Sequence, residues 1–529
     1  MKPEFQLYWS GEENQIVTST EEMRRTLLQF DVPVFVVARS GQIGLTTTGE
    51  IGSHAGQARL MAYAPPVSLE QLGEESFRQT YHTKYALYTG AMANGIASVE
   101  LVTTMGQAGW LASFGAGGLA PQKIEEAIQK IQQVLPQGPY MFNLLHSPNE
   151  PALEARVVDL YLKYKIPVVE ASAYINLTAP LVHYRLSGLQ RDEQGKIRIR
   201  HRVIAKLSRL EMAQKFLEPA PEDIVRQLLA EGKISAEQAE WSRHIPVADD
   251  ITVEADSGGH TDNRPLIGML PPFLHLRDEI QQKYQYSEAP RIGAGGGIGT
   301  PDAALAAFML GAAYVVTGSI NQSCIEAGTS EHVRHLLSQA DMADVAMAPA
   351  GDMFEMGVKV QVLKRGTMFP MRAQKLYELY SRYNAWEEIP ASERERLEKT
   401  VFKRDFDSIW QDTINFFQQR DPRQIERGNS NPKDKMALVF RWYLGLSSRW
   451  ANQGEKGREM DYQIWCGPAM GAFNRWVKGT YLESPSNRHV TDVNKHILRG
   501  GAYLARLRML QMQGISFPAA LQKYIPEPL

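Results

Sequence analysis

Cysteine is almost missing: Cys324 and Cys466 are the only two in 529 residues. They have no metal-ligand spacing, which excludes a thiolate metal centre or a disulfide framework as the basis of the fold. No excess of either charge is present. The formal net charge is -2, so there is no global basic field for nucleic acid or membrane. Long hydrophobic runs are also lacking. The longest, AALAAFMLGAAYVVTG over 303–318, falls short of the ~20 residues that cross a bilayer, and Gly311 divides it into helix and strand. The opening MKPEFQLYWSGEEN has no apolar signal-peptide core. These absences lead us to expect a cytoplasmic protein of ordinary globular composition, 43% hydrophobic and 22% charged.

What is present is organised in three parts. Residues 1–80 read as a small α+β unit and linker: QIVTST and VPVFVVARSGQIGLTT are β-rich, and EEMRRTLLQF between them has helical spacing. From 81 to 345, eight short apolar runs alternate with helices: KYALYTGAM, GWLASFGA, YMFNLLHSP, PVVEASAY, RVIAKLS, DDITVEADSGGH, PRIGAGGG and AAYVVTGS. Eight such units predict a (β/α)8 barrel, an open doubly wound sheet being the alternative. Polar or glycine residues close nearly every run, as expected where a working face lies at the C-terminal strand ends. Residues 211–245 are an insertion that reads as two helices, with Ser235 and Gln238 as a capping box for the second. Residues 346–529 read as a mainly helical appendage, too large to be a barrel's closing helix.

The stretch RIGAGGGIGTPDAALAAFMLGAAYVVTGS places a glycine cluster between a strand and a helix, and a second Gly-Ser after the next strand. It does not fit a dinucleotide fingerprint: the third glycine of G-x-G-x-x-G is absent, and no carboxylate follows at about 20 residues. No Walker A sequence occurs. It fits a phosphate shared by the loops after the last two barrel strands. Gly295, Gly296 and Gly297 permit close backbone approach, Thr300-Pro301 reads as helix cap and first turn, and Gly318 and Ser319 add donors. The bland alternative is a pair of tight turns. One phosphate held this way suggests a mononucleotide such as FMN, or a phosphosugar. Gly90-Ala91-Met92-Ala93-Asn94-Gly95 leaves room for a flat ring, and Asn143 and Lys206 sit at strand ends. Lys206 suits a reduced, anionic isoalloxazine; an ordinary lysine at an exposed strand end is the alternative.

Glu254, Asp256, His260 and Asp262 cluster after the sixth strand. No second histidine lies at ligand spacing, so we expect no metal. Gly258-Gly259 clears space before His260, whose imidazole is suited to moving a proton near neutral pH. With TGAMANG, FNLLHSP, EADSGGH, the glycine stretch above and GPAMGAFNRWVKGTYLE all in place, the chain resembles the trans-acting enoyl reductases of polyunsaturated fatty acid and polyketide synthases. These are part of the wider nitronate monooxygenase-like, FMN-dependent barrel superfamily. The resemblance to the superfamily covers about 84–320; that to the enoyl reductases covers nearly the whole chain.

The resemblance implies FMN at the C-terminal barrel face, NADPH or NADH as reductant, and a 2,3-enoyl thioester on an acyl carrier protein as substrate. A polyketide or fatty acid synthase megaenzyme would be the partner, and a homodimer is open. It implies that Ala91 and Met92 back the flavin and that Asn143 and Lys206 contact its ring. Gly296, Gly297, Gly318 and Ser319 would hold its phosphate, and His260 would be the active-site histidine. The sequence departs from the nitronate oxidases after that histidine, with Thr261-Asp262-Asn263-Arg264. Asp256 or Asp262 is the expected orienter of His260. The 211–245 insertion and helices at 370–420 are expected to wall an acyl channel, with Met353, Phe354, Met356, Met368, Phe369 and Met371 as candidate lining. Lys364, Arg365, Arg372 and Lys375 form a candidate carrier-protein docking patch. The competing readings are an FMN-dependent nitronate oxidase, which shares the barrel, flavin and His260, and a non-catalytic flavin-fold scaffold.

Overall fold

The computed structural model describes residues 7–39, 41–52, 57–148 and 150–529. The eight apolar runs form parallel strands β1 (Leu87–Thr89), β2 (Leu111–Phe114), β3 (Met141–Leu145), β4 (Val168–Ser172), β5 (Arg202–Leu207), β6 (Asp250–Glu254), β7 (Arg291–Gly295) and β8 (Val315–Thr317). They pair in chain order, and β8 returns to β1 through Val315 and Leu87, closing a barrel and excluding the open sheet. Helices cover the outside, so each strand is buried on both faces and reads as a continuous apolar run. The helix Pro121–Val134 is typical: Pro121 stands in its first turn, and Ile124, Ala127, Ile128 and Ile131 face the sheet.

The N-terminal ends of β5, β6 and β7 carry charges rather than a site. Arg291 reaches Asp250 at 2.6 Å, while Arg185 and Arg202 converge on Asp249 at 2.6 and 2.8 Å. Buried charges persist only when paired in this way.

The N-terminal unit is a five-stranded antiparallel sheet with strand order Gln42–Thr46, Val34–Arg39, Ala58–Ala64, Tyr8–Ser10, Glu50–Gly52, and the helix Thr20–Leu27. QIVTST is not one of its strands; within it only Val17 bridges, to Leu45. The insertion holds three helices rather than two, Leu210–Leu217, Glu222–Ala230 and Ala236–Trp241, and the Ser235 capping box starts the third. Val225, Leu228 and Ile234 of the insertion bury against Val182, Leu186 and Leu189.

Beyond β8, Val345–Pro349 and Lys359–Leu363 form a hairpin that takes Gly259–His260 as its third strand. The following helices build a second, aromatic-rich core in which Trp386 stacks on Phe406 with ring centroids 4.5 Å apart. The helix Val490–Met512 then returns to the barrel. It lies so close to the helix Pro301–Met309 that a Cβ on Gly500 would stand 2.4 Å from Pro301 Cγ. Among the described residues no helix is long and apolar enough to cross a membrane.

Candidate active site

A cavity of about 620 Å³ opens at the C-terminal strand ends. The eight expected cofactor contacts and His260 all line it: Ala91 and Met92 after β1, Asn143 on β3, Lys206 on β5, His260 beyond β6, Gly296 and Gly297 after β7, and Gly318 and Ser319 after β8.

The glycine loops differ in what each glycine does. Gly296 and Gly297 have φ of +84° and +75°, where side chains other than glycine are strained. A Cβ on Gly296 would lie 2.6 Å from the Ala255 carbonyl carbon, so this glycine serves packing. A Cβ on Gly297 or Gly318 would meet nothing within 4 Å, so both present bare backbone to open space. Ser319 Oγ accepts a hydrogen bond from the Gly467 N–H at 3.0 Å, leaving its own hydroxyl proton to donate. Thr300 caps the adjoining helix by accepting from Ala303 N–H at 3.3 Å. Glycines, a hydroxyl and a helix start thus come together on two neighbouring loops, the kind of donor set that suits an anion.

The floor is held by a carboxylate that sequence reasoning passed over. Glu170, fully buried on β4, accepts from Ala91 N–H at 2.8 Å and from the Tyr88 hydroxyl at 3.1 Å. Its signal was in the sequence, as a glutamate inside the apolar run PVVEASAY. Asn143 donates its amide to Glu170 O and Ser172 Oγ, both at 3.0 Å, which leaves its side-chain oxygen as an acceptor. Lys206 Nζ lies 2.9 Å from Glu254 Oε1. Burial lowers the lysine's proton affinity, but Glu254 and Glu170 outweigh it and raise the pKa, so Lys206 carries its charge.

His260 faces a different acid from the one expected. Asp262 accepts from Ser208 Oγ at 2.7 Å and Arg209 Nε at 3.2 Å, and Asp256 accepts from Gln361 Nε2 at 2.7 Å. The carboxylate beside His260 is Asp352, with Oδ2 3.3 Å from Nε2. The Gly259–His260 strand pairs with the hairpin through His260 and Val360, and Arg441 Nε donates to Gly351 O at 3.0 Å, fixing the loop that bears Asp352. Burial alone would lower the His260 pKa; Asp352, with a smaller contribution from Glu254, raises it above 6.5. Nothing in the local sequence marks Asp352, because its approach depends on strand pairing about 100 residues beyond His260.

The far wall comes from the helical part. Phe416, Phe417, Leu438, Trp442, Leu444 and Trp465 line the cavity. The expected channel residues do not: Met353, Phe354 and Phe369 are buried in packing, and Met356, Met368 and Met371 face solvent. The 211–245 insertion contributes no lining residue and packs on the connection entering β5, towards the opposite end of the barrel. Arg372 pairs with Asp461, Arg365 with Asp344 at 3.4 Å and Lys375 with Glu393 at 2.9 Å, so three of the four expected docking cations are locally neutralised. Among the described residues no group of three or more His, Cys, Asp or Glu is arranged to hold a metal ion.

The C-terminal segment completes the glycine loops. A Cβ on Gly258 would be 2.9 Å from Cys466 N, and one on Gly467 would be 2.8 Å from Gly258 N. Backbone therefore packs directly on backbone around His260.

Three family models match this chain: nitronate monooxygenase over residues 75–379, the fatty acid synthase subunit PfaD N-terminal domain over 9–66, and the inserted helical domain of [acyl-carrier-protein] S-malonyltransferase over 383–462. A polyunsaturated fatty acid synthase subunit of Thraustochytrium sp. is 50% identical over 502 residues, covering 93% of this chain and 33% of that protein. The polyketide biosynthesis protein PksE of Bacillus subtilis is 45% identical over 520 residues, covering 94% of this chain and 67% of that one. The enoyl reductase domain of MlnA, from the macrolactin cluster of Bacillus amyloliquefaciens, superposes with a TM-score of 0.80 at 41% identity, over 84% of this chain and all of that domain. The chain thus spans only a third of the length of the polyunsaturated fatty acid synthase protein it matches. It belongs to the nitronate monooxygenase family, in the group that contains the MlnA enoyl reductase domain and the matched regions of polyunsaturated fatty acid and polyketide synthase proteins.

Proposed function

We propose that the chain is an FMN-dependent NAD(P)H enoyl reductase acting on the 2,3-double bond of thioesters carried by an acyl carrier protein in polyketide or polyunsaturated fatty acid synthesis. One observation carries this reading: bare-backbone glycine loops and a floor of small residues share one cavity with a broad apolar wall. A small nitronate has no use for that wall, whereas an acyl chain does.

The residues present fit the cofactor. Bare backbone at Gly297 and Gly318 with the Ser319 hydroxyl would hold its phosphate, Ala91 and Met92 would back its ring, and Asn143 and Lys206 would meet the ring's polar edge. When bound, FMN supplies two-electron exchange between dinucleotide and thioester. The charged Lys206 stabilises negative charge at the ring edge, and its pairing with Glu254 fixes its direction. Phe416, Phe417, Leu438 and Trp442 receive the acyl chain and exclude water, which strengthens every charge interaction in the site. His260 in its acid form holds the proton that the thioester α-carbon takes up, and Asp352 favours that form and orients the ring.

Anaerobic absorbance of the flavin-loaded protein tests the reading. NADPH should bleach the flavin, and a crotonyl-pantetheine thioester should restore its colour. Colour restored only by oxygen would make it an oxidase, and failure to take up FMN would refute the phosphate cradle.

A further inference from the structure

Four cations of the cavity lining already face a carboxylate. Lys206 lies 2.9 Å from Glu254, His260 3.3 Å from Asp352, Arg420 2.6 Å from Glu150 and Arg441 3.1 Å from Glu355. Arg449 is the fifth cation of the lining and is different: it is exposed and has no hydrogen-bond or ion-pair partner among the described residues. It lies on the helix Pro432–Gln453, where Leu438, Trp442, Gly445 and Arg449 all line the cavity. Their spacings of four, three and four place them on one helical face. A Cβ on Gly445 would meet nothing within 4 Å, so an open notch precedes Arg449 by one turn. Asn94 Nδ2 donates to Ser448 Oγ at 2.8 Å, tying this end of the helix to the loop after β1.

The face is therefore apolar at Leu438 and Trp442, bare at Gly445 and cationic at Arg449. A ligand that matches it has an acyl chain, then a neutral linker, then an anion. A guanidinium with its donors unspent pairs best with a phosphate, whose oxygens match its planar fork. The cradle for the cofactor's phosphate lies on other loops, those after β7 and β8. We propose that Arg449 is the recognition site for the phosphate of a phosphopantetheine-type acyl thioester, the chemical form in which a carrier-bound chain presents itself. The assignment rests on the enoyl reductase reading and deepens it by naming where the carrier arm is held.

The test compares two substrates that differ by one phosphate, crotonyl-4′-phosphopantetheine and crotonyl-pantetheine. The flavin-loaded protein should show a KM about tenfold lower for the phosphorylated form, an advantage that shrinks as salt is raised. Arg449→Gln should abolish the difference while leaving the KM for crotonyl-pantetheine, the KM for NADPH and bound flavin unchanged. Arg449→Lys should restore part of it. Crotonyl-pantetheine turnover is the folding control. An equal change for both thioesters, no change for either, a raised KM for NADPH alone, or loss of flavin would each overturn the assignment. A wild-type protein that reduces neither thioester would overturn the reductase reading, and the assignment with it.

Discussion

Gly296 and Gly297 are adjacent and share a left-handed backbone, yet substitution should affect them differently. At Gly296 an added Cβ meets the Ala255 carbonyl at 2.6 Å, so Gly296→Ala should lower Tm by forcing β6 and β7 apart. At Gly297 an added Cβ meets nothing within 4 Å. Gly297→Val should cost only the strain of its φ, about 1–2 kcal/mol, while filling the cradle. The folded protein should then be purified without flavin, as absorbance and circular dichroism would together reveal. The His260–Asp352 pair gives a prediction in pH. The carboxylate raises the imidazole pKa, so the acid form survives to higher pH than in a free histidine and is lost as pH rises through the shifted value. Asp352→Asn should move the alkaline limb of the kcat profile to lower pH and spare activity on the acid side. His260→Gln should cost about 10²–10⁴ in kcat on the acid side of that limb and remove the limb itself. An unmoved limb in the Asp352 variant would remove that residue from the chemistry.

At the scale of the element, the barrel's two ends separate function from stability. The C-terminal ends of the strands carry the loops of the site; the N-terminal ends carry a buried ion network. Burial works against ionisation of Asp249, but Arg185 and Arg202 overcome it and hold its pKa at about 2, below the ordinary 3.8. Its contribution is therefore present above pH 3.8 and is lost as pH falls through about 2. That difference corresponds to about 2 kcal/mol. Asp249→Asn should destabilise the protein at neutral pH by about 3–5 kcal/mol, because the buried Arg185 guanidinium loses its ion partner, while the partly exposed Arg202 keeps Glu288. It should also flatten the acid limb of stability, measured by denaturant titration between pH 4 and 2. The strands themselves were legible in the sequence because burial on both faces writes them as apolar runs ended by glycine or a polar residue. Glycine loops and His260 were legible for the same reason: their spacing along the chain is local. The wall was not. Helical periodicity says that Leu438 and Trp442 turn inward, but not that the surface they face is the barrel mouth. Met353 and Phe369 have the same local character and were buried elsewhere. Asp352 acts through tertiary pairing, which leaves no short-range pattern, whereas Glu170 is marked as a charge inside the apolar run PVVEASAY.

Across the whole molecule, the chain beyond residue 462, which lies outside the three family matches, ties the barrel and the N-terminal unit together. Residues 466–469 pack against the glycine loops after β6 and β7, so the site depends on chain far beyond the barrel. The N-terminal unit is held by the last long helix. Arg506, fully buried on Val490–Met512, donates to the carbonyls of Leu27, Gln29, Phe30 and Val32 at 3.2, 2.8, 3.1 and 2.8 Å. Those carbonyls lie at and beyond the end of the helix Thr20–Leu27, where no intrahelical donor remains and the dipole favours a cation. Burial lowers the Arg506 pKa to about 10, which still leaves it charged at neutral pH. Gln513 adds a second tie, accepting from Tyr63 N–H at 3.0 Å and donating to Tyr63 O at 2.9 Å. Arg506→Met keeps the apolar stem but removes a donor from four carbonyls; Leu27 O is buried, at about 1–3 kcal/mol for a buried group left unsatisfied, and Phe30 O keeps only the Val67 N–H. The N-terminal unit should then release from the helix before the barrel unfolds. Limited proteolysis should cut within residues 7–66 much faster than in the wild type, while the remainder resists cutting. Gln513→Ala, which removes a shallower tie, should raise the cutting rate less. Equal cutting rates in Arg506→Met and wild type would mean that the sheet is held by its apolar contacts alone, with the guanidinium a passenger.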